Sequence, residues 1–199
     1  MTANLIHDLH HDDAPLPSPS RLDHCLEARL LADFRVACHG ADPVTERLAR
    51  LICIDPEGLV IRRVRFAHRT VTVVAMTGES WHSTACRYFT DRLREQASLQ
   101  RRRVVLVPPS AVYRRPHLDG SMAIARCSHA FVPDEDRQAI LRLLREERKV
   151  PLAACADVAH RSRAPMRTVL ALAAARAIAI DVSRPLGPTT PVLARLTVH

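Results

Sequence analysis

The residues best suited to contact a polyanion lie between His160 and Thr168. The segment reads His-Arg-Ser-Arg-Ala-Pro-Met-Arg-Thr, so arginines and hydroxyl groups are concentrated in one short stretch. Arginine presents a planar fork of donors that matches phosphate oxygens and the edge of guanine. We therefore predict that DNA is contacted by Arg161, Arg163, Arg167 and Thr168.

A helix-turn-helix would position these side chains, because it holds two short helices against each other across a tight turn. Residues 152–159 place small apolar side chains at helical spacing, and residues 160–163 are predicted to form the turn. Pro165 suits the first position of the second helix, where its missing N–H costs nothing. Ser162 is placed to cap that helix. The N-terminal end of this helix enters the major groove in the motif.

The flanking sequence extends this motif to a winged helix-turn-helix, which we predict for residues 133–199. Acidic residues in the first turn favour a helix beginning near Pro133. A strand is predicted over residues 178–182, and the run Ser-Arg-Pro-Leu-Gly-Pro after it would form the wing. Winged helices also serve as packing or dimerisation modules, so a protein partner or a homo-oligomer remains an alternative.

A second basic segment runs from Arg87 to Arg115. It holds eight arginines and two acidic residues, a net charge of +6. Such a segment would attract a phosphate backbone and make binding salt-dependent. We predict backbone contacts from Arg101, Arg102 and Arg103. The alternative is a solvated helix face with charges that protect the neighbouring apolar strand from aggregation.

Residues 22–132 are predicted to form a small α/β domain, and the Pro- and Ser-containing residues 1–21 a disordered arm. Alternating apolar residues predict two strands between Leu59 and Met76. The apolar run at 104–107 is typical of a buried central strand. Helices are predicted over residues 22–38, 44–54 and 83–99, whereas residues 117–131 are ambiguous.

Taken together, these segments resemble TnsA-like proteins. The similarity rests on RRVRFAHRTVTVV, on ACRYFTDRLREQASLQRRRVVLVPPSAV, and on the small winged helix that ends in DVSRPLGPTTPV. The helix with Leu26, Glu27 and Phe34 is similar to the first helix of that family's core. The resemblance implies a restriction-endonuclease-like mixed sheet with flanking helices, followed by the winged helix, and a setting in a mobile element (transposition) or a regulatory complex.

The residues that would cut DNA in such a core are not found. The resemblance implies a proline–aspartate pair, then an acid or glutamine and a lysine on the next strand, which hold Mg²⁺. The first position falls at Ala67-His68 and the second around residues 82–86, without that pattern, although Glu27 matches the helix glutamate. We therefore predict a catalytically degenerate DNA-binding protein with no metal and no cofactor. A metal-dependent endonuclease with a divergent site and a protein–protein adaptor remain alternatives.

The bulk composition agrees with nucleic acid as a partner but does not establish it. The 199 residues carry a net charge of +8, and 47% are apolar. An arginine- and alanine-rich chain is also what a GC-rich genome encodes. The six scattered cysteines contain no CxxC pair, which argues against a zinc site or a disulfide framework. The sequence shows neither a signal peptide nor a membrane span, so we expect a cytoplasmic protein.

Two histidine-containing groups are weak candidates for metal binding. The N-terminal arm carries a cluster of His and Asp residues around His10 and Asp12. His68, His82 and Cys86 flank the second predicted strand and could form part of a site. Nothing in either spacing fixes a coordination geometry, so an acidic arm and exposed histidines are the simpler interpretations.

Overall fold

The computed structural model describes residues 19–52 and 58–195, which form two β-sheets and the helices that cover them. The His/Asp cluster of the N-terminal arm and the turn predicted at residues 55–58 lie outside the described residues, except for Gly58. The first helix, α1 (Pro19–Ala32), begins within the predicted arm. The prediction that disorder extends to residue 21 is therefore wrong for residues 19–21.

The first sheet is a four-stranded mixed sheet with the order β1-β2-β3-β4. Its strands are β1 (Val36–Ala41), β2 (Leu59–Phe66), β3 (Thr70–Met76) and β4 (Val104–Val107). β1, β2 and β3 pair antiparallel, and β4 runs parallel to β3. A parallel neighbour needs a crossover connection, which α4 (Thr84–Leu99) supplies. The side chain of Ser83 caps the start of that helix, since its Oγ accepts a hydrogen bond from Cys86 N at 3.0 Å.

The alternation of apolar residues in the strands divides the core around this sheet into two layers. On one face, Val64 and Val73 pack against Leu22 and Leu26 of α1. On the other face, Val74 packs with residues of α4 and of α2 (Pro43–Ile52). Because side chains alternate in a strand, β3 contributes to both layers. Its buried apolar residues are Val71, Val73, Val74, Ala75 and Met76.

The second sheet is three-stranded with the order β5-β7-β6, and both of its pairings are antiparallel. The strands are β5 (Lys149–Pro151), β6 (Ile178–Ile180) and β7 (Pro191–Ala194). Its core contains Ile140, Leu152, Val169, Leu172 and Val192. These side chains come from the sheet and from three helices, α7 (Asp134–Glu147), α8 (Leu152–Asp157) and α9 (Pro165–Ala174).

The helix α6 (His117–Arg126) joins the two parts, since it contacts both α1 and α9. A Cβ added at Gly120 would lie 3.0 Å from the Cβ of Val182, so a side chain there would crowd the residues that follow β6. The remaining helices are short: α3 spans Gly78–His82 and α5 spans Pro109–Val112. None of the helices within residues 19–52 and 58–195 is long and apolar enough to cross a membrane.

The mixed α/β class and the central hairpin are confirmed, as are the helices at α2, α4 and α7. The predicted helix over residues 22–38 is wrong beyond Ala32, because residues 36–41 form β1. The strand β4 lies at the edge of its sheet and not at the centre, and Val105 is 37% exposed.

Candidate nucleic-acid interface

The start of α9 is organised by the hydroxyl group of Ser162. Thr168 Oγ1 donates to Ser162 Oγ at 2.8 Å, and Ala164 N donates to the same oxygen at 3.1 Å. The N-cap residue is Ala164, so the prediction that Ser162 caps the helix is wrong. Thr168 is only 2% exposed. It therefore stabilises the turn and is not available to DNA, which corrects its predicted role.

The turn before α9 is held by the acidic start of α7. Asp136 is 2% exposed, and its Oδ1 accepts a hydrogen bond from Arg161 N at 3.0 Å. The side chain of Arg161 pairs with Glu135, with 2.5 Å between Nε and Oε2. Both partners are 69% exposed, so the pair contributes at most about 1 kcal/mol. Arg161 is thus close to the predicted position, but a phosphate would have to displace Glu135.

Arg163 and Arg167 have the properties expected of phosphate-binding residues. Both are exposed at the N-terminal end of α9. Within residues 19–52 and 58–195, neither forms an ion pair with an acidic side chain. Their guanidinium groups are therefore free to bind an anion without breaking an existing interaction.

Arg167 lines a cleft of about 300 Å³ beside the N-terminal end of α9. Ser162 and Thr168 form one side, and His129 and Phe131, from the segment between α6 and α7, form the other. Phe131 is 86% exposed, and Met166 on α9 is 39% exposed. The cleft thus combines a cation, an imidazole and an accessible aromatic ring.

Sequence reasoning missed Phe131, because residues 117–131 gave no clear periodicity. The only signal present was that Phe131, one of only four phenylalanines, lies outside the predicted helices and strands. Its neighbour Val132 packs against the core, whereas Phe131 is exposed. With the exposed Met166, Phe131 therefore adds apolar surface beside Arg167.

In the second basic segment, Arg102 points inward, contrary to its predicted role. Its Nη1 lies 2.9 Å from Asp42 Oδ1, and Asp42 is 2% exposed on its side chain. Asp42 also accepts hydrogen bonds from Thr72 Oγ1 at 2.7 Å and Thr45 Oγ1 at 2.9 Å. Burial opposes ionisation of Asp42, but these bonds outweigh it and hold the pKa of the carboxyl below its ordinary value. Arg101 and Arg103 remain exposed beside this cluster.

One helical turn before Glu27, the acid that matches the resemblance, α1 forms an ion pair with β2. Arg62 of β2 pairs with Asp23 of α1. Burial lowers the pKa of the neighbouring His39, as do the charges of Arg176 and Arg62, against the opposing effect of Glu27. The strand β3 reads Thr-Val-Thr-Val-Val-Ala-Met and offers no carboxylate or lysine. In the described part of the chain, no three His, Cys, Asp or Glu residues are grouped as metal ligands would be.

The two positions assigned to the nuclease pattern fall outside the strands. Ala67 and His68 lie in the turn between β2 and β3, and residues 82–86 run from the end of α3 into α4. His68 precedes β3 whereas His82 and Cys86 follow it, so these three residues are separated by the length of that strand. They do not form the metal site considered above.

Comparison with known proteins adds no assignment. No protein-family model matches the chain, and neither does any curated protein or solved structure. The chemical groups around α9 therefore have to carry the functional interpretation. Guanidinium and imidazole groups bind anions, and an exposed aromatic ring can stack on a base or pack on a sugar.

Proposed function

We propose that this protein binds DNA through residues 133–195 and does not cut it. The observation that carries the proposal is the pair of free arginines, Arg163 and Arg167, at the N-terminal end of α9. That helix is the second of a closely packed pair, and the N-terminal end of such a helix is the part that meets the major groove in a helix-turn-helix. DNA is the partner that matches both the charge and the position.

The order of elements supports a winged helix-turn-helix. The chain runs α7-β5-α8-α9-β6-β7, and the last two strands form an antiparallel hairpin. The connection over residues 181–190 corresponds to the wing. It is held against α8, since Leu152 N donates to Thr190 O at 2.8 Å and Ala153 N to Pro188 O at 2.9 Å. Arg184 is exposed on this connection and could contact the backbone beside the groove.

The ion pair between Arg62 and Asp23 supports binding without cleavage. A guanidinium group that neutralises the carboxylate also repels a divalent cation, so the pair opposes a metal site between α1 and β2. The order α1-β1-α2-β2-β3-α3-α4-β4 is compatible with a restriction-endonuclease-like core if α2 and the short α3 are treated as insertions. We infer a TnsA-like protein whose core has become a support for DNA binding in a mobile element or a regulatory complex.

Replacement of both arginines tests this proposal. Fluorescence anisotropy with a labelled random-sequence duplex, at two or more salt concentrations, would measure the affinity and its salt dependence. We expect Arg163→Ala/Arg167→Ala to weaken binding by about tenfold or more at low salt. Each lost phosphate contact should reduce the slope of log K against log salt by about one unit.

A matched control separates contact from total charge. Arg47→Ala/Arg50→Ala removes two exposed arginines from α2 and changes the net charge equally. We expect that variant to bind with nearly the wild-type slope. Equal affinities and equal slopes for the wild type and Arg163→Ala/Arg167→Ala would refute the proposed site. If the folded wild-type protein has no affinity for any duplex, the alternative of an adaptor that binds protein would be favoured.

A further inference from the structure

A cleft of about 550 Å³ lies between the two sheets, and neither Arg163 nor Arg167 lines it. Its walls come from α1, from β3 and β4 of the first sheet, and from β6 and β7 of the second. This volume is in the range of small-molecule sites, roughly 300–1,000 Å³. The wall is largely aliphatic and includes Leu26, Leu30, Val73, Val107, Ile180 and Leu193.

The guanidinium group of Arg29 is incompletely paired at this cleft. Arg29 lines the cleft, and its Nη1 is buried without a hydrogen-bond partner among the described residues. Burial lowers the pKa of Arg29, while Asp33 acts in the opposite direction. A buried donor without an acceptor is costly, and the cost is greater for a charged group. An acceptor supplied from outside the chain would remove this cost.

The acidic groups at the cleft are already engaged. Asp33, the nearer in sequence to Arg29 of the two acids at the cleft, accepts hydrogen bonds from Arg35 Nη2 at 2.7 Å and from Arg35 Nε at 2.9 Å. The carboxylate of Asp181 accepts one from Ser183 N at 2.9 Å. Each carboxylate is thus stabilised by a residue two positions along the chain, and neither forms a hydrogen bond with the guanidinium group of Arg29.

The charges around the cleft leave an excess of one positive charge. The fixed cations are Arg29, Arg35 and Lys149, and the anions are Asp33 and Asp181. Burial and then the charge of Arg29 lower the pKa of His117, which lies at the start of α6 and is therefore not counted among the fixed cations. One anionic group would balance the set.

We propose that this cleft binds an amphipathic monocarboxylate, with its aliphatic body between the two sheets and its carboxylate on Arg29. A guanidinium–carboxylate pair forms strong, directional hydrogen bonds, particularly away from water. The aliphatic side chains of the wall, such as Leu26, Val73 and Leu193, favour a saturated chain as the body of the ligand. Because both sheets line the cleft, such a ligand would bridge the two halves of the protein. Because Arg163 and Arg167 do not line the cleft, ligand binding there can be measured separately from DNA binding.

Calorimetric titration and thermal unfolding of the full chain with octanoate test this proposal. We expect saturable binding and a rise in melting temperature with octanoate. Octan-1-ol, which lacks the anion, and acetate, which lacks the body, should each bind at least about tenfold more weakly, because each loses one part of the site.

Two variants locate the binding within the cleft. Arg29→Met removes the charge while keeping a long side chain, and we expect it to weaken octanoate binding by about tenfold or more. Ala111→Leu fills space at the cleft wall and leaves Arg29 intact, so it should also weaken binding and would remain informative if Arg29→Met does not fold. Arg50→Met, on the exposed side of α2, should bind octanoate like the wild type.

The proposal is overturned if folded wild-type protein shows no saturable binding of octanoate. It is equally overturned if octan-1-ol or acetate binds as tightly as octanoate, because the ligand class would then be wrong. Unchanged affinity in both Arg29→Met and Ala111→Leu would place the carboxylate elsewhere.

Discussion

The buried cluster of Asp42, Thr45, Thr72 and Arg102 allows a quantitative test of how the first sheet is held together. Asp42 immediately precedes α2, where its Oδ1 accepts from Thr45 N at 3.2 Å and its main-chain oxygen accepts from Glu46 N at 2.9 Å. Its other bonds reach Thr72 of β3 and Arg102, which lies two residues before β4. One carboxylate therefore connects α2, β3 and the segment before β4. Its removal should destabilise the contacts among all three.

We expect Asp42→Ala to lower the free energy of unfolding by about 3–5 kcal/mol, the usual cost of removing one partner from a buried ion pair. The change also removes the N-terminal cap of α2, which typically costs about 1 kcal/mol and is included in that range. With a urea dependence of about 2 kcal/mol per molar, the midpoint of unfolding should fall by about 1.5–2.5 M. Circular dichroism or tryptophan fluorescence during urea titration measures this shift.

The pH dependence provides a second measurement on the same variant. The pKa of Asp42 is lower in the folded protein than its ordinary value of 3.8. Its ionised form therefore stabilises the fold above the ordinary pKa, and this contribution is lost as the pH falls towards the lower folded pKa. The stability difference between wild type and Asp42→Ala should be constant near neutral pH and shrink below about pH 4.

A double-mutant cycle with Arg102→Met isolates the ion pair itself. Residues in direct contact typically show coupling energies of about 0.5–3 kcal/mol. As a control, Glu95→Ala breaks an exposed pair with Arg92, whose atoms are 3.0 Å apart, and should cost less than about 1 kcal/mol. If Asp42→Ala and Arg102→Met each lower the free energy of unfolding by less than about 1 kcal/mol, the structural role of this cluster would be refuted.

Three further predictions concern the DNA-binding surface and the core. Phe131→Ala should weaken DNA binding by about 1–3 kcal/mol without altering the salt slope, as anisotropy would show, and unchanged affinity would exclude a contact. Thr168→Val should cost about 1 kcal/mol of stability in thermal unfolding, because Ser162 loses its donor, while leaving the DNA affinity of the folded protein unchanged; a weakened affinity would restore Thr168 as a contact. Plasmid incubated with Mg²⁺ or Mn²⁺ should stay intact with wild-type protein, and nicking that disappears in Glu27→Ala would favour the nuclease alternative.

The periodicity of the sequence located the long elements but misplaced the end of α1. Leu26, Leu30 and Phe34 have helical spacing, which predicted a helix through residue 38. Asp33 ends that continuity, since its side chain accepts hydrogen bonds from the main-chain and side-chain nitrogens of Arg35. Phe34 is consequently 51% exposed and does not extend the apolar stripe. An aspartate side chain that bonds to a nearby main-chain N–H competes with the helical hydrogen bonds. A single aspartate is only a weak indication in a sequence that a helix ends there.

The strands β5 and β7 were not predicted because neither has a strand pattern of its own. Each contains a proline, and Pro151 lies opposite Pro191 at the end of the ladder. Proline cannot donate to a ladder and normally argues against a strand. These segments become strands because the helices of the second half bring them together.

The roles of individual arginines could be predicted only where no distant acid faces them. Arg163 and Arg167 keep their predicted exposure, whereas Arg161 and Arg102 pair with acids that lie 26 and 60 residues earlier in the chain. No local pattern reports such a pairing. The sequence therefore identified the basic segments, but not which of their charges are already neutralised.

The C-terminal end of α9 connects the proposed DNA-binding helix to the first sheet. Arg176, which follows α9, donates to the main-chain oxygen of Val36 in β1. Arg195 in turn donates to Arg176 O at 2.9 Å. Because the opposite end of α9 carries Arg163 and Arg167, DNA held there would have a fixed orientation relative to the first sheet. The exposed Arg101 and Arg103 can contribute to the salt dependence of binding only if the same duplex reaches β4. The change in salt slope when both are replaced by alanine therefore measures how far the bound DNA extends.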